Sequence, residues 1–117
     1  MNEFKVELYQ KANLECPVEE FLDACTKEMR AKITGDILVL QEKGNAMRAP
    51  YTKYLEDGIF ELRTKQGSNI SRVLFFFYYG GKIILTNGFI KKSQKTPRRE
   101  IDLAKKYRSD YLERNSK

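Results

Sequence analysis

The sequence predicts an α+β domain, an antiparallel sheet with helices packed against it, in the order β-α-α-β-β-β-β-α. Three observations predict it. Apolar residues recur at helical spacing through the first half of the chain. From Tyr51 to Ile90 the chain breaks into four alternating or β-branched runs separated by glycine-containing turns. A last helical pattern then closes the sequence.

Phe4 to Tyr9 alternates apolar and charged residues, as an edge strand does. Pro17 suits the first position of a helix. Val18, Phe21, Leu22 and Cys25 follow as one apolar stripe. Met29, Ile33, Ile37 and Leu40 continue a stripe to Lys43, where Gly44 caps the end. Thr26 is placed to cap a second helix, so two helices are expected with a break near Cys25–Thr26. After the loop Asn45–Pro50, Tyr51–Glu56 and Ile59–Lys65 pair through Asp57-Gly58, a dipeptide that tolerates positive φ at both positions. Ile70–Tyr79 is aromatic and β-branched, as a central strand should be. Gly80-Gly81 leads into Lys82–Ile90. Thr96 as N-cap and Pro97 at the first position then begin the last helix, with Ile101, Ala104, Tyr107 and Tyr111 as its apolar face. Helices grouped on one side would leave the other sheet face as a working surface.

With 117 residues the chain holds one domain, residues 1–117. No run approaches the roughly 18 apolar residues of a membrane span, and the N-terminus lacks a signal-peptide core. A cytosolic protein without membrane contact is expected. Cys16 and Cys25 are not spaced as CxxC, so a redox pair is disfavoured. With no histidine, a Ser–His pair and an imidazole acid–base are excluded, and a zinc site is not expected because two thiolates alone do not complete a tetrahedral set. No metal or other cofactor is expected. Any proton transfer must fall to Lys, Arg, Glu, Asp or Tyr.

Charge is distributed unevenly. Residues 1–90 hold 12 cations and 12 carboxylates; residues 91–117 hold 10 against 4, which is the whole net +6. Such a cationic end attracts phosphate backbones. Strand alternation sets Phe60, Leu62 and Thr64 on a core face and leaves Glu61 and Arg63 outward. Arg72 falls opposite Val73, Phe75 and Phe77. Ile83, Leu85, Asn87 and Phe89 share one face of the last strand. Glu61, Arg63, Arg72 and Asn87 can thus gather into one polar cluster, rimmed by Lys91, Lys92 and Lys95. Taken singly, each of these residues is more often a surface pair or a core group than a catalytic one, and it is the clustering beside a lysine-rich loop that favours a functional role.

These residues carry a resemblance. DGIFELR at Asp57–Arg63, RVLFFF at Arg72–Phe77, ILTNGFIKKSQKTP at Ile84–Pro97 and IDLAKKY at Ile101–Tyr107 resemble the HigB branch of the RelE/ParE toxin superfamily, whose members are often phage-derived. The helical first half fits in order and length. The resemblance implies a RelE-like fold, a type II toxin–antitoxin system and ribosome-dependent, metal-independent cleavage of mRNA. It implies a HigA-like antitoxin with a helix-turn-helix domain, in a heterotetramer that meets operator DNA only through that antitoxin. The motif arginines fall on Arg63 and Arg72, and its lysines on Lys91, Lys92 and Lys95. Many relatives carry a histidine where this chain has Asn87, so a histidine mechanism does not transfer.

The expected chemistry uses the RNA 2′-hydroxyl as nucleophile. Arg63 and Arg72 hold the phosphate, since a guanidinium fork matches its oxygens. One of the lysines protonates the leaving oxygen. Glu61 or a lysine is the base, and Phe89 stacks a nucleobase beside Asn87. Arg98, Arg99, Lys105 and Lys106 of the last helix are expected to hold RNA. The rival readings are a non-enzymatic nucleic-acid-binding regulator and a protein that docks an acidic surface.

Overall fold

Ten consecutive strand-forming residues at the centre of the chain organise the rest. A computed structural model describes residues 4–91 and 95–116. It contains β1 (Lys5–Leu8), α1 (Pro17–Ala24), α2 (Lys27–Lys43), a 3₁₀ turn (Gly44–Ala46), β2 (Thr52–Glu56), β3 (Ile59–Gln66), β4 (Asn69–Tyr78), β5 (Lys82–Lys91) and α3 (Arg98–Arg114). Val73 to Phe76 of β4 are buried on both faces, which fixes β4 as the middle strand. The sheet order is β1-β5-β4-β3-β2. From β2 to β5 it is the expected antiparallel meander. β1 takes the outer edge of β5 and runs parallel to it, so the five-stranded sheet is mixed.

The local signals act where the sequence places them. Pro17 starts α1. Thr26 Oγ1 accepts the Met29 N–H at 3.1 Å and starts α2, satisfying one of its orphan donors. Gly44 ends α2 at φ +54, with the Phe4 ring filling the space a Cβ would need. Asp57 and Gly58 both take positive φ in the β2–β3 turn.

The helices do not share a side. α1 and α2 cover one sheet face, where Val18, Met29, Ile33 and Leu40 meet Leu62, Val73, Phe75, Ile83 and Leu85. α3 covers the opposite face, packing Ile101, Ala104, Tyr107 and Tyr111 on Ile59, Leu74, Phe76 and Ile84. The expected open sheet face is therefore mostly filled. The physical reason is that β4 and β5 are apolar on both faces, and each face needs a cover.

One irregularity moves a candidate residue. β5 carries a bulge against β4: Phe75 lies opposite Leu85, but Leu74 lies opposite Asn87. Thr86 is the extra residue. Asn87 and Phe89 thereby change phase and join Ile84 on the α3 side, instead of sharing a face with Ile83 and Leu85. Gly88 then points at the Phe21 ring of α1, which leaves no room there for a Cβ.

Candidate active site

Register assembles a charged cluster under the start of α3. Arg63 of β3 lies directly opposite Arg72 of β4, and Arg72 lies opposite Phe89 of β5. Residues opposite one another share a face, so two guanidiniums meet on the α3 side. Like charges in that relation repel. Glu61, two residues before Arg63, lies between them: its Oε2 is 3.5 Å from Arg63 Nε and 3.6 Å from Arg72 Nη1. Burial is graded across the cluster. Glu61 and Arg72 side chains have zero exposure, whereas Arg63 retains 21%.

Thr96 closes the cluster from above. Its hydroxyl donates to Glu61 Oε1 and accepts from Arg72 Nη1 at 3.3 Å. The expected helix-capping role of Thr96 is thus not realised; Pro97 stands at the N-cap of α3, without a side-chain cap. The buried carboxylate makes the stronger demand on that hydroxyl. Burial pushes the Arg72 guanidinium below its ordinary pKa; Glu61 opposes that shift and Arg63 reinforces it. Asn87 is drawn to α3 instead: its amide donates to Glu100 Oε1 at 3.0 Å and to the Glu100 carbonyl at 3.3 Å. So three of the four expected cluster members meet, and Asn87 lies beside them on a separate partner.

Glu61 is therefore not an outward-facing carboxylate. It has no solvent access through which to take a proton from a bound substrate, and Arg72 has none through which to touch phosphate. Phe89 is half-buried against the α3-side core. Lys91 and Lys95 are exposed at the rim, and Lys92 lies outside the described residues. Lys95 lines a shallow hollow of about 420 Å³ with Lys53, Tyr54, Glu56 and Arg98. Among the described residues, no group of three or more carboxylates and thiols is placed to hold a metal ion. No described helix is long and apolar enough to cross a membrane.

The geometry coincides with a sequence family. The family profile of the phage derived protein Gp49-like group matches residues 20–109, a stretch that includes Glu61, Arg63, Arg72 and Thr96. The chain belongs to the Gp49-like family. This is a RelE/ParE-like toxin family. No curated protein matches the chain.

In this Gp49-like chain the cations of α3 are largely engaged. Glu56 Oε2 meets both Arg98 and Lys105 at 2.5 Å. Arg108 Nη2 binds Asp57 Oδ2 at 2.9 Å. Arg114 holds Asp110 and the Gln10 carbonyl. The hairpin turn between β2 and β3 is thus clamped onto α3, and Arg98 and Lys105 do not form the free cationic face expected of them. Arg99, 85% exposed, and the exposed Lys106 remain turned to solvent. The roles of Glu56 and Asp57 were hidden in the sequence, because they lie more than 40 residues from their partners. Their one signal was acidic residues flanking a hairpin turn in a chain with an otherwise cationic end.

Proposed function

We propose that this protein is the toxin of a type II toxin–antitoxin pair and an endoribonuclease that cuts mRNA on the translating ribosome. One observation carries the reading. Two guanidiniums meet at one buried carboxylate, and Arg63 carries its positive charge to a partly exposed edge of the cluster. A phosphate at Arg63 would balance that charge with a forked contact. Membership in a toxin family supports the same conclusion.

In this reading Arg63 holds the scissile phosphate. The 2′-oxygen attacks phosphorus, the bond to the 5′-oxygen breaks, and the departing oxygen takes a proton from Lys91, Lys92 or Lys95. Glu61, Arg72 and Thr96 are positioning residues: they fix the Arg63 guanidinium from behind, so little reorganisation remains at the moment of reaction. The base that accepts the 2′-proton comes from the exposed lysines or from the ribosome. We assign it to neither Glu61 nor Arg72, both being buried. A HigA-like antitoxin in a heterotetramer would neutralise the protein and carry any operator contact.

The test is induced expression of Arg63→Ala beside the unaltered chain at equal protein level. Growth arrest should disappear, together with new transcript 5′ ends inside translated codons. Full toxicity of Arg63→Ala would sink the reading. New protein–nucleic acid complexes without new 5′ ends would point to a regulator instead.

A further inference from the structure

The surplus charge of the sequence lies at its C-terminal end, yet four cations that make no ion pair among the described residues, Lys32, Lys43, Arg48 and Lys65, gather elsewhere. Two adjoining hollows, about 640 Å³ and about 490 Å³, lie between α2 and the 46–51 loop and share Asp36 and Tyr51 as walls. Lys32, Arg63 and Lys65 line the first, and Lys43 and Arg48 line the second. Among the described residues, Arg63 alone of these five makes an ion pair. The contrast with α3 is sharp, where carboxylates engage Arg98, Lys105, Arg108 and Arg114.

Among the described residues, Asp36 is the one carboxylate in either wall, and it is anchored: its Oδ2 accepts the Thr64 hydroxyl at 2.7 Å. Arg48 is held in place without being neutralised, since its guanidinium donates to the Asn45 and Met47 carbonyls. Tyr51 stands where the two hollows join, 53% exposed. An exposed ring between two sets of such cations is the arrangement that single-stranded nucleic acid uses. Cations track its backbone, and any base can stack on the ring. An acidic protein segment would answer the cations but would make no use of the ring face.

We infer that this groove is a track for single-stranded RNA, with Tyr51 stacking a base, Lys43 and Arg48 holding phosphates on one side of it, and Lys32 and Lys65 holding phosphates on the side that leads to Arg63. The inference rests on the endoribonuclease reading for its substrate, and adds to it the path by which the strand reaches the site. Lys32, Lys43, Arg48 and Tyr51 are contact residues, not participants in the chemistry.

The experiment uses a fluorescein-labelled 2′-O-methyl RNA oligonucleotide, which cannot be cut, and reads its anisotropy on titration with the full chain. Tyr51→Ala should weaken binding about ten-fold or more, and Tyr51→Phe should bind as the unaltered chain does. Lys43→Ala with Arg48→Ala should reduce the slope of log affinity against log salt by about 1.4, about 0.7 for each phosphate that the protein no longer neutralises. Lys27→Glu, an exposed charge change outside the groove, serves as control. Unchanged binding in both groove variants overturns the inference. So does a labelled acidic peptide that loses affinity in Tyr51→Ala while the RNA does not, because that result gives the groove to a protein partner. Arg63→Ala separates this inference from its parent: if toxicity survives that change while RNA binding still depends on Tyr51, the endonuclease reading fails and the groove stands.

Discussion

Glu61 and Arg72 face each other at 3.6 Å with neither side chain exposed to solvent. Removing Glu61 takes from Arg72 its buried counter-charge, and removing Arg72 leaves the buried Glu61 carboxylate with the partly exposed Arg63 as its ion-pair partner. Breaking such a pair costs about 3–5 kcal/mol, a large part of the stability of a domain this size. Glu61→Ala and Arg72→Ala should therefore shift the urea midpoint strongly. The two changes made together should cost less than their sum, because the double variant buries no stranded partner from this pair. Strict additivity in urea unfolding would show that the pair is not coupled. Loss of toxicity in Arg72→Ala is consequently an ambiguous result, since a poorly folded chain is also harmless.

Arg63 separates activity from stability. It opposes Arg72 in register but keeps an exposed edge, and its pairing with Glu61 at 3.5 Å is partly open to water. Arg63→Ala should change folding free energy by no more than about 1 kcal/mol. Loss of one preorganised donor at a developing charge typically costs about 10²–10³ in rate, so cleavage should fall by that factor. Arg63→Lys restores the charge without the fork and should recover only a small part of the activity. Paired unfolding and single-turnover cleavage measurements check this. A lysine variant as fast as the unaltered chain would show that charge alone suffices.

What the sequence displayed and what it concealed divide along range. Thr26, Gly44 and Asp57-Gly58 act within a few residues of themselves, and each does in the fold what its local chemistry requires. The α+β class and the order of elements follow from such signals. Alternation correctly placed Arg72 away from Val73 and Phe75. It failed beyond the bulge at Thr86, because one inserted residue inverts every later side chain and nothing in Leu85-Thr86-Asn87 announces it. Outwardness was the other failure. Alternation says which face Glu61 occupies but not whether something covers that face. The cover is α3, with Thr96 reaching back over 35 residues to the carboxylate. The groove beside Tyr51 was likewise invisible, since it joins α2, a loop and β3 only in three dimensions.

Glu56 links the β2–β3 turn to α3 and makes the fold sensitive to acid. Hydrogen bonds from Arg98 first, and Lys105 second, pull its carboxyl from the ordinary 4.5 down to about 2. A depressed carboxylate stabilises the fold above its unfolded-state pKa, and that contribution is lost as pH falls through the folded value. Melting temperature should therefore decline between about pH 4.5 and about pH 2. Glu56→Gln should be less stable than the unaltered chain at neutral pH and should flatten this part of the profile. An identical acid limb in both proteins would show that Glu56 does not govern it.

Gly44 offers a stability test outside the Glu61–Arg63–Arg72 cluster. It closes α2 with its N–H donating to the Leu40 carbonyl, at φ +54 and ψ −129. An L-residue is strained in that backbone region by about 1–3 kcal/mol. A Cβ would also overlap the Phe4 ring, which packs there against the core beneath β1 and α2. The Phe4 N–H donates to the Gln41 carbonyl at 2.9 Å, so the ring cannot withdraw without loosening the entry to β1. Gly44→Ala should then cost more than the backbone strain alone, whereas Gly35→Ala, where no atom lies near the added Cβ, should be neutral or stabilising within α2. Urea unfolding of the two variants decides it: equal midpoints would mean that neither the positive φ nor the Phe4 ring constrains the end of the helix.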